Sequence, residues 1–158
     1  MNHISLKVDN EPFFPRENVD TRFKEHVFAN ELAKKWGCKL IKMQPHYAVD
    51  FAVIRNNKVV GWLELKNRKG NWLKYPTYMI GLKKWLNCLN LARAKYVELP
   101  FILAVRADDG AHYLNITELP SETNFKIEVA GTTKRGFKED IEPCVFIPKN
   151  IFRKIYGI

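Results

Sequence analysis

The chain has 158 residues, the usual size of one domain, and its 46% hydrophobic and 27% charged residues exclude disorder, collagen and coiled coil. Lys and Arg number 26 against 17 Asp and Glu, a formal charge of +9 that points to a polyanionic partner. No apolar run is long enough to cross a bilayer and Met1–Ser5 opens no signal peptide. The three scattered cysteines (Cys38, Cys88, Cys144) show no zinc spacing, so a reduced protein of the cytoplasm, not secreted and not membrane-bound, is expected.

Residues 1–19, with Pro12 and Pro15, read as an irregular arm or short strand. Asp20 can cap a helix whose apolar positions are Phe23, Val27, Phe28, Leu32 and Trp36 and whose stop is Gly37. A short apolar stretch (Leu40, Ile41) and a turn near Pro45 precede two strand-like runs, 49–54 and 59–66, joined by a hairpin signal at Arg55-Asn56-Asn57-Lys58. A loop around Gly70 leads to a second helix over 77–94, with Tyr78, Leu82, Trp85, Leu86 and Leu89 on one face. The unbroken apolar run 101–105 suits a strand buried on both sides, and Asp109-Gly110 turns it into 113–116. Residues 120–140 are polar and read as a long loop with a short strand, followed by a strand at 145–147 and a terminal helix near 151–156. No repeat or linker divides the chain, so one domain over 1–158 is expected, with a core over roughly 20–118 and an extension over 119–158.

The positive charge is uneven. From Leu65 through Val97 there is no Asp or Glu, yet Lys66, Arg68, Lys69, Lys74, Lys83, Lys84, Arg93 and Lys95 fall there among Trp72, Tyr75, Tyr78, Trp85 and Tyr96. Cations interleaved with aromatics suit a phosphate backbone carrying stackable bases. Trp85 and Tyr96 continue apolar spacings and read as core, whereas Arg68, Lys69 and Lys74 sit in a Gly-containing loop suited to phosphate contact.

Glu64-Leu65-Lys66 lies on the second strand, where residues two apart share a face, so Glu64 and Lys66 project together. Asp50 interrupts the apolar run of the preceding strand. Two carboxylates beside a lysine are what a phosphodiester hydrolase needs, since hard oxygen ligands hold Mg²⁺ and an amine orients water or offsets negative charge. Facing depends on the hairpin. A two-residue loop at Asn56-Asn57 pairs Asp50 with Leu63 and puts Glu64 on the wrong face, whereas a three-residue loop, or a bulge at Gly61, sets Asp50 opposite Glu64. Glu25 lies along the inward stripe of the first helix, followed by Phe28, Ala29 and Leu32, and reads either as a third acid of the cluster or as a helix-edge partner of Arg22 or Lys24. The histidines (His3, His26, His46, His112) form no catalytic or metal grouping, and no Gly-rich phosphate loop occurs.

These residues resemble the PD-(D/E)XK, or restriction-endonuclease-like, nuclease superfamily, in particular its small stand-alone and phage-borne members. The resemblance rests on Glu25 in Phe23-Lys24-Glu25-His26-Val27, Asp50 in Val49-Asp50-Phe51, Glu64-Leu65-Lys66, and the run from Tyr75 to Trp85. It implies an α/β fold with a central mixed sheet flanked by helices, in the order α-β-β-β-α-β. Val49 stands where proline is common, and no glutamine opens the second helix, a place Tyr78 or Lys83 would fill. The resemblance further implies a Mg²⁺-dependent DNA endonuclease, with Mn²⁺ able to substitute. Asp50, Glu64 and the Leu65 carbonyl would bind the ion, Lys66 would position the attacking water, and Glu25 would serve a second ion or its water. Arg68, Lys69, Lys74, Tyr78, Lys83 and Lys84 would hold the nucleic acid, duplex or branched, and a homodimer would suit a two-stranded substrate. A bacterial or phage-infected host cytoplasm is the implied setting.

Two other readings stand beside this one: a non-catalytic nucleic-acid-binding module of the same fold, and an RNA-directed or metal-free nuclease. The stretch 120–140, with Lys126, Lys134, Arg135 and Lys138, reads equally as a recognition element or as an ordinary surface loop.

Overall fold

The computed structural model describes residues 19–94, 99–131 and 141–157. In chain order these form α1 (Val19–Trp36), β1 (Lys39–Lys42), β2 (Phe51–Arg55), β3 (Lys58–Asn67), β4 (Thr77–Gly81), α2 (Leu82–Ala92), β5 (Phe101–Ala107), β6 (Gly110–Asn115), β7 (Lys126–Gly131), β8 (Ile141–Pro148) and β9 (Arg153–Gly157). Six strands make one mixed sheet in the order β1-β2-β3-β5-β6-β9, and three make a second in the order β4-β8-β7. Only β3 and β5 run parallel among the paired strands. Their connection therefore crosses one face of the large sheet, and it carries β4 and α2. The protein is thus an α/β fold with a central mixed sheet flanked by helices, as the α-β-β-β-α-β order implies, with β4 inserted before the second helix.

α1 covers one face. Asp20 in its first turn and Lys34 and Lys35 in its last complement the helix dipole, and Gly37, at φ 58°, ends it. Phe28, Ala29 and Leu32 pack on Phe51, Leu63, Leu65 and Ala104. Phe23, expected on this stripe, is 65% exposed, because the first turn of α1 runs past the ends of β3 and β5 and overhangs a crevice containing Asn67 and Ala107. The other face of the sheet, through Phe101, Leu103 and Val105, packs on Trp85 and Cys88 of α2 and on Tyr78, Ile80 and Ile147 of the small sheet. Alternate residues of β5 thus enter opposite cores, which is why 101–105 is an unbroken apolar run.

Two elements differ from expectation. Residues 77–81 are strand, not helix: Tyr78 and Ile80 alternate inward, and the stretch pairs with β8 before Leu82 opens α2. Residues 153–157 are also strand, since the apolar positions Ile155 and Phe152 serve a sheet edge that β6 leaves available; only a 3-10 turn, Lys149–Ile151, precedes them. Tyr96, Lys95, Lys134, Arg135 and Lys138 lie outside the described residues, whereas Lys126 is on β7, paired with Glu128 at 2.6 Å. No helix among the described residues is long and apolar enough to cross a membrane.

The β2–β3 hairpin decides how the acids face. Asn56 and Asn57 form a two-residue turn with φ 49° and 59°, the left-handed pair that a tight hairpin requires. The register is Ile54 with Val59 but Val53 with Gly61, so Val60 is an extra residue bulged out of β3. Left-handed backbone costs roughly 1–2 kcal/mol in most residues and least in Gly or Asn. Accordingly Asn57→Gly should raise unfolding free energy by up to about 1 kcal/mol and Asn57→Val should lower it by about 1–2 kcal/mol in urea denaturation.

Candidate active site

Leu63 and Leu65 face α1, so the alternation of β3 turns Glu64 and Lys66 to the opposite face, toward α2 and β4. Asp50 immediately precedes β2. The pairing of Phe51 with Leu63 continues to place Asp50 across from Glu64 on the same face, an arrangement that depends on the bulge at Val60.

Glu64 is fully buried. A carboxylate in such a place is tolerable only if opposite charge is brought to it. Lys66 Nζ lies 2.7 Å from its Oε1, and Lys84 Nζ, from the first turn of α2, lies 2.8 Å from its Oε2. Lys84 also donates to the Ala48 carbonyl at 3.3 Å. The two ammonium groups thus balance the charge of Glu64, one beside each oxygen. Burial pushes the Glu64 carboxyl above the ordinary range; Lys66 opposes this shift and Asp50 adds to it. Burial pulls the Lys66 ammonium down, but Glu64 and Asp50 outweigh it and hold the group above its ordinary value.

Asp50 is anchored through Oδ2, which accepts the Leu65 N–H at 2.9 Å, while its Oδ1 lies 4.0 Å from Lys42 Nζ. Lys42, at the end of β1, donates to Glu25 Oε1. Glu25 therefore comes off the inward stripe of α1 and reaches Asp50 through Lys42 rather than directly. Among the described residues no three His, Cys, Asp or Glu side chains gather at ion-binding distance.

The other expected residues divide. Tyr78 is buried on β4, where burial pushes its phenol up; its hydroxyl accepts from Arg68 Nη2 at 3.3 Å. Arg68, Lys69 and Lys74 line one cleft beside Tyr78. Lys83 is exposed on α2. Lys84, expected on phosphates, is instead the second ammonium on Glu64. Its sequence signal is spacing: it stands four residues before Cys88 and eight before Ala92, both buried on the inner face of α2. Lys42 has no such signal, because β1 is mostly exposed and the contact arises only from its pairing with β2.

Removing Lys84 leaves Glu64 with half of its compensation. Lys84→Met should cost about 1–3 kcal/mol of stability in urea titration, and the Glu64→Gln/Lys84→Met pair should lose less than the sum of its singles. Equal and additive losses would show the contact to be energetically idle. Burial, with Glu64 nearby, also pushes the Cys88 thiol up to about 12. At pH 8 a thiol reagent should therefore modify the half-buried Cys38 first, and Cys88 and the buried Cys144 only on unfolding.

A family model described as "Phage putative PDDEXK endonuclease" matches residues 16–155. Among solved structures the fold is similar to Hjc, a Holliday junction resolvase from the archaeal hyperthermophile Archaeoglobus fulgidus, with TM-score 0.47 and 14% identity over 80% of this chain and 89% of that one. No curated protein matches the chain. With the family match spanning nearly the whole sequence, the chain belongs to the phage PDDEXK endonucleases, a family of phosphodiester-hydrolysing nucleases.

Proposed function

We propose that the protein is a Mg²⁺-dependent DNA endonuclease whose reaction takes place at Asp50, Glu64 and Lys66, with Lys84 completing the site and Glu25 held in reserve through Lys42. The observation that carries this reading is the buried Glu64 carboxylate, set opposite Asp50 and flanked by two ammonium groups, on the face of the sheet from which the acid-free segment 65–97 departs.

The donor set fits a hard divalent ion. Glu64 offers two carboxylate oxygens, one beside each ammonium, and Asp50 Oδ1 lies 4.0 Å from Lys42 Nζ. In an extended strand a residue's N–H and C=O point to the same edge, so the Leu65 carbonyl leaves β3 on the side where its N–H meets Asp50. These oxygens are the kind Mg²⁺ prefers, and Mn²⁺ shares the preference. When bound, the ion would polarise the phosphate and acidify a water.

The remaining work falls to the chain itself. Lys66 is an ammonium on a rigid strand, so it donates hydrogen bonds rather than removing a proton. It can orient the attacking water and stabilise the extra negative charge that develops on the phosphate oxygens. Lys84 holds Glu64 from the opposite side and prevents it from following Lys66 toward substrate. Asp50, fastened through Oδ2 by the Leu65 N–H, has Oδ1 left to meet the ion. Arg68, Lys69, Lys74 and Lys83 supply phosphate contacts along the strand being cut, which predicts strong salt dependence of binding.

The test is cleavage of plasmid and oligonucleotide DNA with Mg²⁺, with Mn²⁺ and with EDTA, and the same sequences as RNA. Cutting should require the ion and prefer DNA, and Lys66→Ala or Asp50→Asn should lower the rate at least about 100-fold. Calorimetric binding of Mn²⁺ should disappear in Asp50→Ala. Cutting that persists in EDTA, or that survives Lys66→Ala, would remove the assignment.

A further inference from the structure

Beyond Lys66 the chain leaves β3 into the loop 68–76, and this loop, β4 and Lys149 enclose a cleft of about 230 Å³. Among the described residues its lining includes four cations, Arg68, Lys69, Lys74 and Lys149, and no Asp or Glu. Two acids lie close by, and each holds the loop through one oxygen. Asp108 Oδ2 accepts the Gly70 N–H at 2.7 Å, and Asp109 Oδ1 accepts the Trp72 N–H at 2.8 Å. Lys149 fastens the same loop from the other side by donating to the Trp72 carbonyl. The cleft is therefore built in advance, with a cationic interior.

Its aromatic side is unusual. Tyr75 is 61% exposed, a poor use of a large ring in a loop otherwise fixed to the body of the protein. Tyr75 lines this cleft and also a second, open hollow next to it, so the ring stands between two spaces. Lys74 Nζ lies 5.4 Å from the ring centroid. At the inner end is Tyr78, which carries Arg68 on its hydroxyl and lies close enough to Lys66 and Glu64 to feel their charges. The cleft thus begins where the carboxylate cluster ends. Its volume admits one nucleobase with part of its sugar, and not a base pair.

We propose that this cleft holds one unpaired nucleotide of the strand being cut, its base stacked on Tyr75 and its phosphates on Arg68, Lys69, Lys74 and Lys149. The substrate class is then DNA with a single-stranded segment at the cleavage position rather than continuous duplex. A paired base cannot enter without being extruded, which costs unstacking energy, whereas an unpaired base enters freely. This inference rests on the nuclease reading above and narrows it.

Two measurements keep the two readings apart. In the first, a duplex with a single-stranded flap and the same duplex without one are cut in Mg²⁺. The wild type should prefer the flap about tenfold or more in kcat/KM. Tyr75→Ala should erase most of that preference, and Tyr75→Phe should retain it, because the ring and not the hydroxyl stacks. Equal rates on both substrates, or parallel losses in Tyr75→Ala, would overturn the proposal while leaving the nuclease intact. In the second, metal is omitted and a short single strand carrying 2-aminopurine is titrated with protein. Its fluorescence should be quenched by wild type and Tyr75→Phe, with Tyr75→Ala binding about tenfold more weakly and without quenching. This readout needs no cleavage, so an absence of quenching in the wild type counts against the cleft, and an absence of Mg²⁺-dependent cutting counts against the nuclease reading alone.

Discussion

A carboxylate with no exposure to water, held between two lysines, is the constraint around which the rest of the molecule is arranged. Taking an ion out of water costs several kcal/mol even after relaxation, and an apolar side chain of similar size in that position would leave most folds more stable. Glu64 is tolerated because Lys66 is delivered by the same strand and Lys84 by a helix that returns over it. The parallel pairing of β3 with β5 makes that return unavoidable: a crossover must traverse the sheet, and here it brings α2 across the face that Glu64 occupies. Topology and charge compensation are two aspects of one solution.

The same constraint explains which parts were legible in the sequence. Strand alternation in Glu64-Leu65-Lys66 is local, and it places both side chains on one face whatever the surroundings. The hairpin was legible as a choice between devices. Asn56-Asn57 announces a two-residue turn that would misplace Asp50, and Gly61 announces a bulge that corrects it; the structure uses both, with Val60 as the extra residue. β5 was legible because burial on two faces leaves no polar position from Phe101 to Val105. What failed was the period of short segments. Residues 77–81 carry apolar side chains that fit either a helix or a strand, and only the presence of β8, more than sixty residues later, decides for the strand. The same holds for 153–157, which is strand because β6 offers an edge.

At the site, the sequence exposed the acids and Lys66 and concealed the other two cations, Lys84 and Lys42. Acids in apolar runs stand out, since each needs a reason to be there. Lysines in a basic chain do not stand out, and a count of +9 offers many candidates for any one contact. Lys84 could have been singled out by its spacing from Cys88 and Ala92, but its charge made a phosphate contact the natural reading. Lys42 could not have been: it joins Glu25 to Asp50 only after α1, β1 and β2 are assembled, and nothing local to β1 marks it.

The two faces of the large sheet also divide the labour. On the α1 side Phe28, Leu32, Leu63 and Leu65 form an apolar core, whereas the α2 side combines a core with the charged cluster. β3 and β5, being parallel, end together, and Arg68 N–H closes the pair on the Arg106 carbonyl at 2.8 Å. Beyond that closure the loop 68–76 leaves in the direction both strands point, which is where open parallel sheets bind ligands, because diverging chain segments there leave a crevice that no side chain of the sheet can fill. Asp108 and Asp109, in the turn after β5, reach into this crevice and pin the loop after β3. The acids on that turn thus shape the adjoining cleft: by accepting backbone N–H groups they fix the Gly70–Trp72 segment beside which Lys74 and Tyr75 stand.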